Sequence, residues 1–215
     1  LLNDFSLWGV GKNGNGQLGD GTTTNRNQPY LIARNVSRLA EAYSNSPLLG
    51  LEVSAPDSQS GDALGVSISQ SGNLFAVGAY QADQVDKNRT GAVYLYRKES
   101  NGSVSFLQKV MAPDAMVDDD FGKSVSLASN TLVVCSESNN TGAAYIYKIE
   151  RNHTASYIQK IVPEDANSTN KFGFDLSQSG DLLAVGANNA VFLYQVENNG
   201  SVTQIQKINA PAEAI

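Results

Sequence analysis

The sequence predicts an all-β protein assembled from repeated units of four short antiparallel strands. Three observations predict it. The stretches LGVSISQSGNLFAVGAY from Leu64, FGKSVSLASNTLVVCSE from Phe121 and FGFDLSQSGDLLAVGAN from Phe172 are imperfect copies, and their glycines Gly65, Gly122 and Gly173 stand 57 and then 51 residues apart. A period near fifty fixes the architecture first, because each copy is one supersecondary unit that buries its apolar face only against a neighbour. Within each copy, runs with the two-residue period of a half-buried strand alternate with short continuous apolar runs. Nineteen glycines, with Asn and Ser beside many of them, punctuate those runs as turns rather than as helix ends.

The elements follow in chain order. Residues Leu7 to Ile32 read LWGVGKNGNGQLGDGTTTNRNQPYLI, with Gly9, Gly11, Gly14, Gly16, Gly19 and Gly21 crowded together. That density suits a backbone turning through positive φ. A phosphate-cradling loop is the rival, but the Gly-Lys-Ser/Thr ending and the following amphipathic helix are missing. Asn35 to Tyr43 reads as a strand, with a short helix as the alternative. Leu51 to Asp57 then matches Gln108 to Asp114, so the first unit ends on the same kind of strand as the later ones. In each later unit a first strand (Val66 and Ile68 alternating with Ser67 and Ser69 in the first copy) leads through a turn to LFAVGA, LVVCS or LLAVGA. Such apolar runs suit a strand buried on both faces, and Val77, Val134 and Val185 are expected at equivalent buried positions. Third strands AVYLY, AAYIY and AVFLY are aromatic and β-branched, and a further turn leads to SFLQKV, SYIQKI and TQIQKI. Four short strands per repeat is the cue for propeller-type blades.

Two families carry these patterns. Trp8, Gly9, Gly11, Asn13, Gly14, Gly16, Gln17, Leu18, Gly19, Gly21, Thr22, Thr23 and Pro29 resemble the RCC1 repeat. The resemblance covers one unit only, so it implies a blade and not the nucleotide-exchange activity of a whole RCC1 propeller. The later units resemble FG-GAP repeats, the blades of integrin α-chain heads and many secreted proteins. Their Phe-Gly element is Phe121-Gly122 and Phe172-Gly173, with Leu64-Gly65 in the first copy; Gly-Ala is Gly78-Ala79 and Gly186-Ala187, with Cys135-Ser136 between; Tyr80, Glu137 and Asn188 replace the expected proline. The implied organisation is an RCC1-like blade over 1–51 and FG-GAP-like blades over 52–111, 112–161 and 162–215, all in one propeller-type domain. A closed ring, part of a larger ring and an open array all remain compatible. The chain opens without Met and stops just after a repeat closes, and it is expected to be part of a longer polypeptide.

Composition excludes several functions. A net charge of −6 repels phosphate backbones, which argues against nucleic acid. No apolar run reaches the roughly 18 to 20 residues of a membrane-spanning helix. One cysteine permits no internal disulfide. Calcium is the cofactor the FG-GAP resemblance suggests, held by acidic loops between first and second strands. Those loops here contain only one carboxylate, Asp181, so no cofactor is expected. Asp118, Asp119 and Asp120 are weak candidates for a metal, since adjacent carboxylates are normally a solvated loop and six to eight oxygens must converge on calcium. Catalysis by a Cys/His pair would need Cys135 beside His153, but Cys135 stands in an apolar run where a thiol is inert packing. The chain is expected not to be an enzyme.

Seven Asn-x-Ser/Thr sequons occur, at Asn35, Asn88, Asn101, Asn139, Asn152, Asn167 and Asn199. Asn101, Asn152 and Asn199 occupy the turn before the last strand of each repeat, while Asn88 and Asn139 stand three residues before Gly91 and Gly142. Asn is also a turn residue in its own right. Recurrence favours N-glycosylation, and with it an extracellular or cell-surface location. The expected function is a non-catalytic extracellular glycoprotein with a structural or adhesive role, self-associating, in one form as the subunit of a surface filament. The alternative is a ligand-binding propeller that recognises a protein or glycan in the manner of integrin heads.

Overall fold

A computed structural model of the chain describes residues 7–11, 22–24, 26–33, 55–84, 87–137, 141–164 and 171–211. The chain divides into two compact units, Leu1–Gly50 and Leu51–Ile215. In the first, β1 (Leu7–Gly11) pairs antiparallel with β2 (Arg26–Ala33), Trp8 opposite Leu31 and Gly9 opposite Tyr30. The strand expected over Asn35 to Tyr43 lies outside the described residues.

The second unit holds three sheets of four antiparallel strands each. Blade I is β3 (Leu64–Ser71), β4 (Leu74–Ala79), β5 (Ala92–Lys98) and β6 (Val104–Val110). Blade II is β7 (Phe121–Ala128), β8 (Thr131–Ser136), β9 (Ala143–Ile149) and β10 (Ala155–Ile161). Blade III is β11 (Leu176–Ser179), β12 (Leu182–Ala187), β13 (Ala190–Val196) and β14 (Val202–Asn209). In every blade the strands lie in chain order across the sheet, the simplest way to pair segments joined by short turns. All regular structure among the described residues is strand, as expected from the sequence.

Register repeats with the sequence. Val77 faces Tyr94, Val134 faces Tyr145 and Val185 faces Phe192. Val134 and Val185 are fully buried; Val77 is half-buried, packed against the smaller cluster of Ala79, Ala92, Tyr94 and Tyr96 rather than against one of the two cores between blades. One regularity escaped the sequence. Between third and fourth strands each sheet carries a bulge at one place, opposing Leu95–Tyr96 to Gln108 and Phe106, Ile146–Tyr147 to Gln159 and Tyr157, and Leu193–Tyr194 to Gln206 and Gln204. The extra residue is Leu107, Ile158 or Ile205. A bulge twists the strand and re-aims a side chain. Here Leu107 packs onto the cluster that joins blades I and II, and Ile158 onto the one that joins II and III.

The core lies between the blades. Leu74, Ala76, Val93, Leu95 and Val110 of blade I meet Val125, Leu132, Val134, Tyr145 and Tyr147 of blade II. Val133, Cys135, Ala144 and Ile146 on the opposite face of blade II meet Leu183, Val185, Phe192 and Tyr194 of blade III. A central blade is therefore buried on both faces, which explains the unbroken apolar runs of β8 and β9.

Candidate functional site

The two junctions, between blades I and II and between blades II and III, share three parts, and a fourth tie recurs on blades I and II. The first is a close backbone approach. A Cβ at Gly91 would lie 2.0 Å from the Phe121 carbonyl oxygen, and one at Gly142 would lie 1.9 Å from that of Phe172. Both glycines have positive φ, and the Phe121 N–H donates to the Thr90 carbonyl at 3.2 Å. Phe121 and Phe172 are thereby sunk completely, edge-on to Tyr145 and Phe192 respectively. The Phe-Gly and Thr-Gly elements of the sequence are thus the two halves of one contact.

The second part is a pair of small residues. A Cβ on Gly78 would meet the Gly122 carbonyl oxygen at 2.1 Å; at the next junction, Cβ and Sγ of Cys135 occupy the equivalent space, 3.1 and 3.2 Å from where a Gly173 Cβ would be. Cys135 is fully buried, and burial raises its thiol well above the ordinary range, so it fills volume. It sits opposite Ala144 at the start of β9, whereas His153 lies past the far end of that strand with Nδ1 3.5 Å from Arg97 Nη1. The two are at opposite ends of the blade and form no catalytic pair.

The third is a glutamine clasp. Gln108 Nε2 donates to the Ala155 carbonyl (3.2 Å) and its Oε1 accepts from the Ala155 N–H (2.7 Å). Gln159 does the same with Val202, at 3.1 Å for both bonds. The sequence shows the recurrent Gln-Lys, but its partner is one blade away and could not be read there.

The fourth explains the recurring Ala-Pro-Asp. Asp57 accepts from the Tyr94 hydroxyl at 2.8 Å and from Lys109 at 2.6 Å; Asp114 does so from Tyr145 at 2.9 Å and Lys160 at 2.7 Å. The ammoniums lie 5.5 and 5.0 Å from the centres of the same tyrosine rings. The Lys109 ammonium holds the Asp57 carboxyl below its ordinary range. At Asp114 burial pushes upward, and Lys160 with Tyr145 outweighs it. These are structural ties at the blade edge.

Asp118, Asp119 and Asp120 do not converge. Arg89 lies 3.7 Å from Asp118 and 2.9 Å from Asp120. Asp119 turns inward and accepts from the Met116 N–H at 2.7 Å. Burial raises the Asp119 and Asp120 carboxyls, with Arg89 opposing it at Asp120. Among the described residues no three His, Cys, Asp or Glu side chains are grouped to hold a metal. A cavity of about 580 Å³ at the outer edge of blades II and III is lined by Lys160, Phe192, Tyr194, Gln204 and Lys207.

Asn101, Asn152 and Asn199 occupy three equivalent exposed turns. Each uses Oδ1 to accept from the N–H and the hydroxyl of the residue two further on: Ser103 at 3.0 and 2.7 Å, Thr154 at 3.2 and 2.7 Å, Ser201 at 2.9 and 2.7 Å. Asn88 is exposed, but Thr90 of its sequon is buried, with its hydroxyl 3.4 Å from the Ala82 carbonyl. Asn35, Asn139 and Asn167 lie outside the described residues.

A fold of serial four-stranded blades joined through Phe-Gly elements defines a class of repeat protein, and comparison identifies it. The family model of the FG-GAP repeat matches residues 52–96, 104–147 and 156–202. The chain belongs to the FG-GAP repeat family. The match starts at residue 52 and does not extend over the RCC1-like stretch. No curated protein matches the chain. Among solved structures, a crystal structure of a protein from Lactobacillus plantarum is similar at 13% identity with a TM-score of 0.49, over 68% of this chain and 42% of that one. The chain thus spans less than half the length of that protein. Among the described residues no helix is long and apolar enough to cross a membrane.

Proposed function

We propose that this chain is a non-catalytic extracellular glycoprotein with a structural or adhesive role, built from one RCC1-like blade and three FG-GAP blades, and that it associates with further copies of itself. FG-GAP blades are typical of extracellular and surface proteins, which supports the location. The observation that carries self-association is the far face of blade III. Its Val191, Ile205 and Ile208 are 37%, 55% and 49% exposed, while their counterparts in blade I, Val93 and Val110, are at most 3% exposed and Leu107 is packed against the next blade. Gln206, third of the clasp glutamines, is exposed there as well. An apolar face of this kind marks an interaction surface, and a heterologous contact that does not close yields a filament.

The partner does not repeat the internal junction. Asn189 stands where Gly91 and Gly142 admit the next blade, with φ +61° and a side chain in the way. Sedimentation of the whole chain tests the reading: assemblies larger than the monomer are expected, dissolved by Ile208→Glu. A monomer at every concentration refutes it. A second reading, a module that binds a protein or glycan, is favoured by the cavity between Lys160 and Lys207. Such a module is monodisperse until its ligand arrives.

A further inference from the structure

We propose that Asn101, Asn152 and Asn199 are acceptors for N-linked glycans, one per blade, forming a continuous row along one rim. The inference rests on the extracellular reading above and adds which sites are used and what they do. Hydrogen bonding in these turns does not require asparagine. Only Oδ1 is engaged, and aspartate would accept the same two bonds. Backbone strain does not require it either, since none of the three has positive φ, the region where asparagine outperforms its neighbours. What asparagine alone contributes is Nδ2, which in all three turns donates no hydrogen bond to another described residue.

The middle position makes the contrast sharper. Gly102 and Gly200 supply the left-handed residue of their turns, with φ of 85° and 91°. Blade II places His153 there at φ 67°, so the residue the backbone favours is lost while Asn152 and Thr154 are kept. The rims adjoin: the Arg97–His153 contact links the ends of blades I and II, and Gly200 lies against Lys148 of blade II.

The chemistry is glycosyl transfer from a polyisoprenyl-pyrophosphate-linked oligosaccharide. Nδ2 forms the new C–N bond to the sugar C1 and gives up one proton to the transferase, and the C1–O bond to the lipid pyrophosphate breaks. Sugar attached at Nδ2 projects into solvent and leaves the Oδ1 bonds of the turn intact. Asn88 differs, because its sequon runs into the blade I–II junction through buried Thr90.

The full chain behind a cleavable secretory leader, translated with endoplasmic-reticulum microsomes, tests the assignment. Peptide mapping after amidase release in heavy-oxygen water should tag Asn101, Asn152 and Asn199. Ser103→Ala, Thr154→Ala and Ser201→Ala should each remove one glycan step in gel mobility. Membrane-protected chain with all three untagged overturns the proposal, whether or not the protein assembles. Tagging in microsomes but not in native material upholds the acceptor sites and instead refutes the extracellular reading.

Discussion

Gly142→Ala isolates the energy stored in the backbone contact between blades, because Gly180→Ala supplies its control. The two glycines have similar positive φ, 71° and 59°. A Cβ at Gly180 meets nothing within 4 Å, whereas one at Gly142 lies 1.9 Å from the Phe172 carbonyl oxygen and 2.9 Å from its carbon. Holding alanine in the left-handed region costs about 1–2 kcal/mol at either place. At Gly142 the neighbour is backbone, which cannot rotate away, so blade III must shift and lose part of the packing around Phe172. Overpacking of that kind adds about 1–3 kcal/mol. Gly142→Ala is therefore expected to destabilise by about 2–5 kcal/mol and Gly180→Ala by about 1–2. In a domain of this size each kcal/mol lowers Tm by about 2–4 °C, so calorimetry separates the two. Equal losses, within about 0.5 kcal/mol, would refute the close approach as the basis of blade docking.

Three further outcomes are expected. Gln159→Ala deletes both bonds to Val202 and should cost about 1–3 kcal/mol with faster hydrogen exchange at the Val202 amide, while Gln206→Ala should stay within about 0.5 kcal/mol. Val134→Asp places a charge on a fully buried strand position and should cost about 4 kcal/mol or more by denaturant titration; a parental midpoint would refute the blade register. Burial raises the Asp119 carboxyl, so the folded chain binds that proton more readily than the unfolded one, and the group costs stability above its folded pKa. Asp119→Asn should thus exceed the parent in stability at pH 7 and converge with it as pH falls through the carboxylate range; a gap that widens on acidification would contradict the assignment.

The blades were legible in the sequence because strand period, turn residues and repeat spacing are local signals that agree. The junctions were only half legible. Phe121-Gly122 stands out as a motif and Gly91 recurs as Gly142, but nothing along the chain says that Gly91 touches Phe121. The same holds for Gln108 and Ala155, and for Asp57 and Tyr94, whose partners are dozens of residues away. The faces of the bulge residues Leu107, Ile158 and Ile205 were not legible for a different reason: a single inserted residue resets the alternation and hides the face a side chain takes. In the three sequon turns, sequence supplied the residue types, and the structure supplied the shared exposed geometry in which Oδ1 alone is bonded within the turn.

The family unit and the blade are out of phase. A matched unit such as 104–147 begins on β6, the last strand of blade I, and ends on β9, the third strand of blade II. Copying such a unit in frame would therefore complete the sheet before it and leave its own sheet to be completed by whatever comes next. Insertion or loss of whole units then never orphans a strand in the middle of the series, and the number of blades can drift in evolution without a misfolded intermediate. The third matched segment ends at residue 202, where β14 begins, so blade III takes its last strand, Val202–Asn209, almost entirely from beyond that segment.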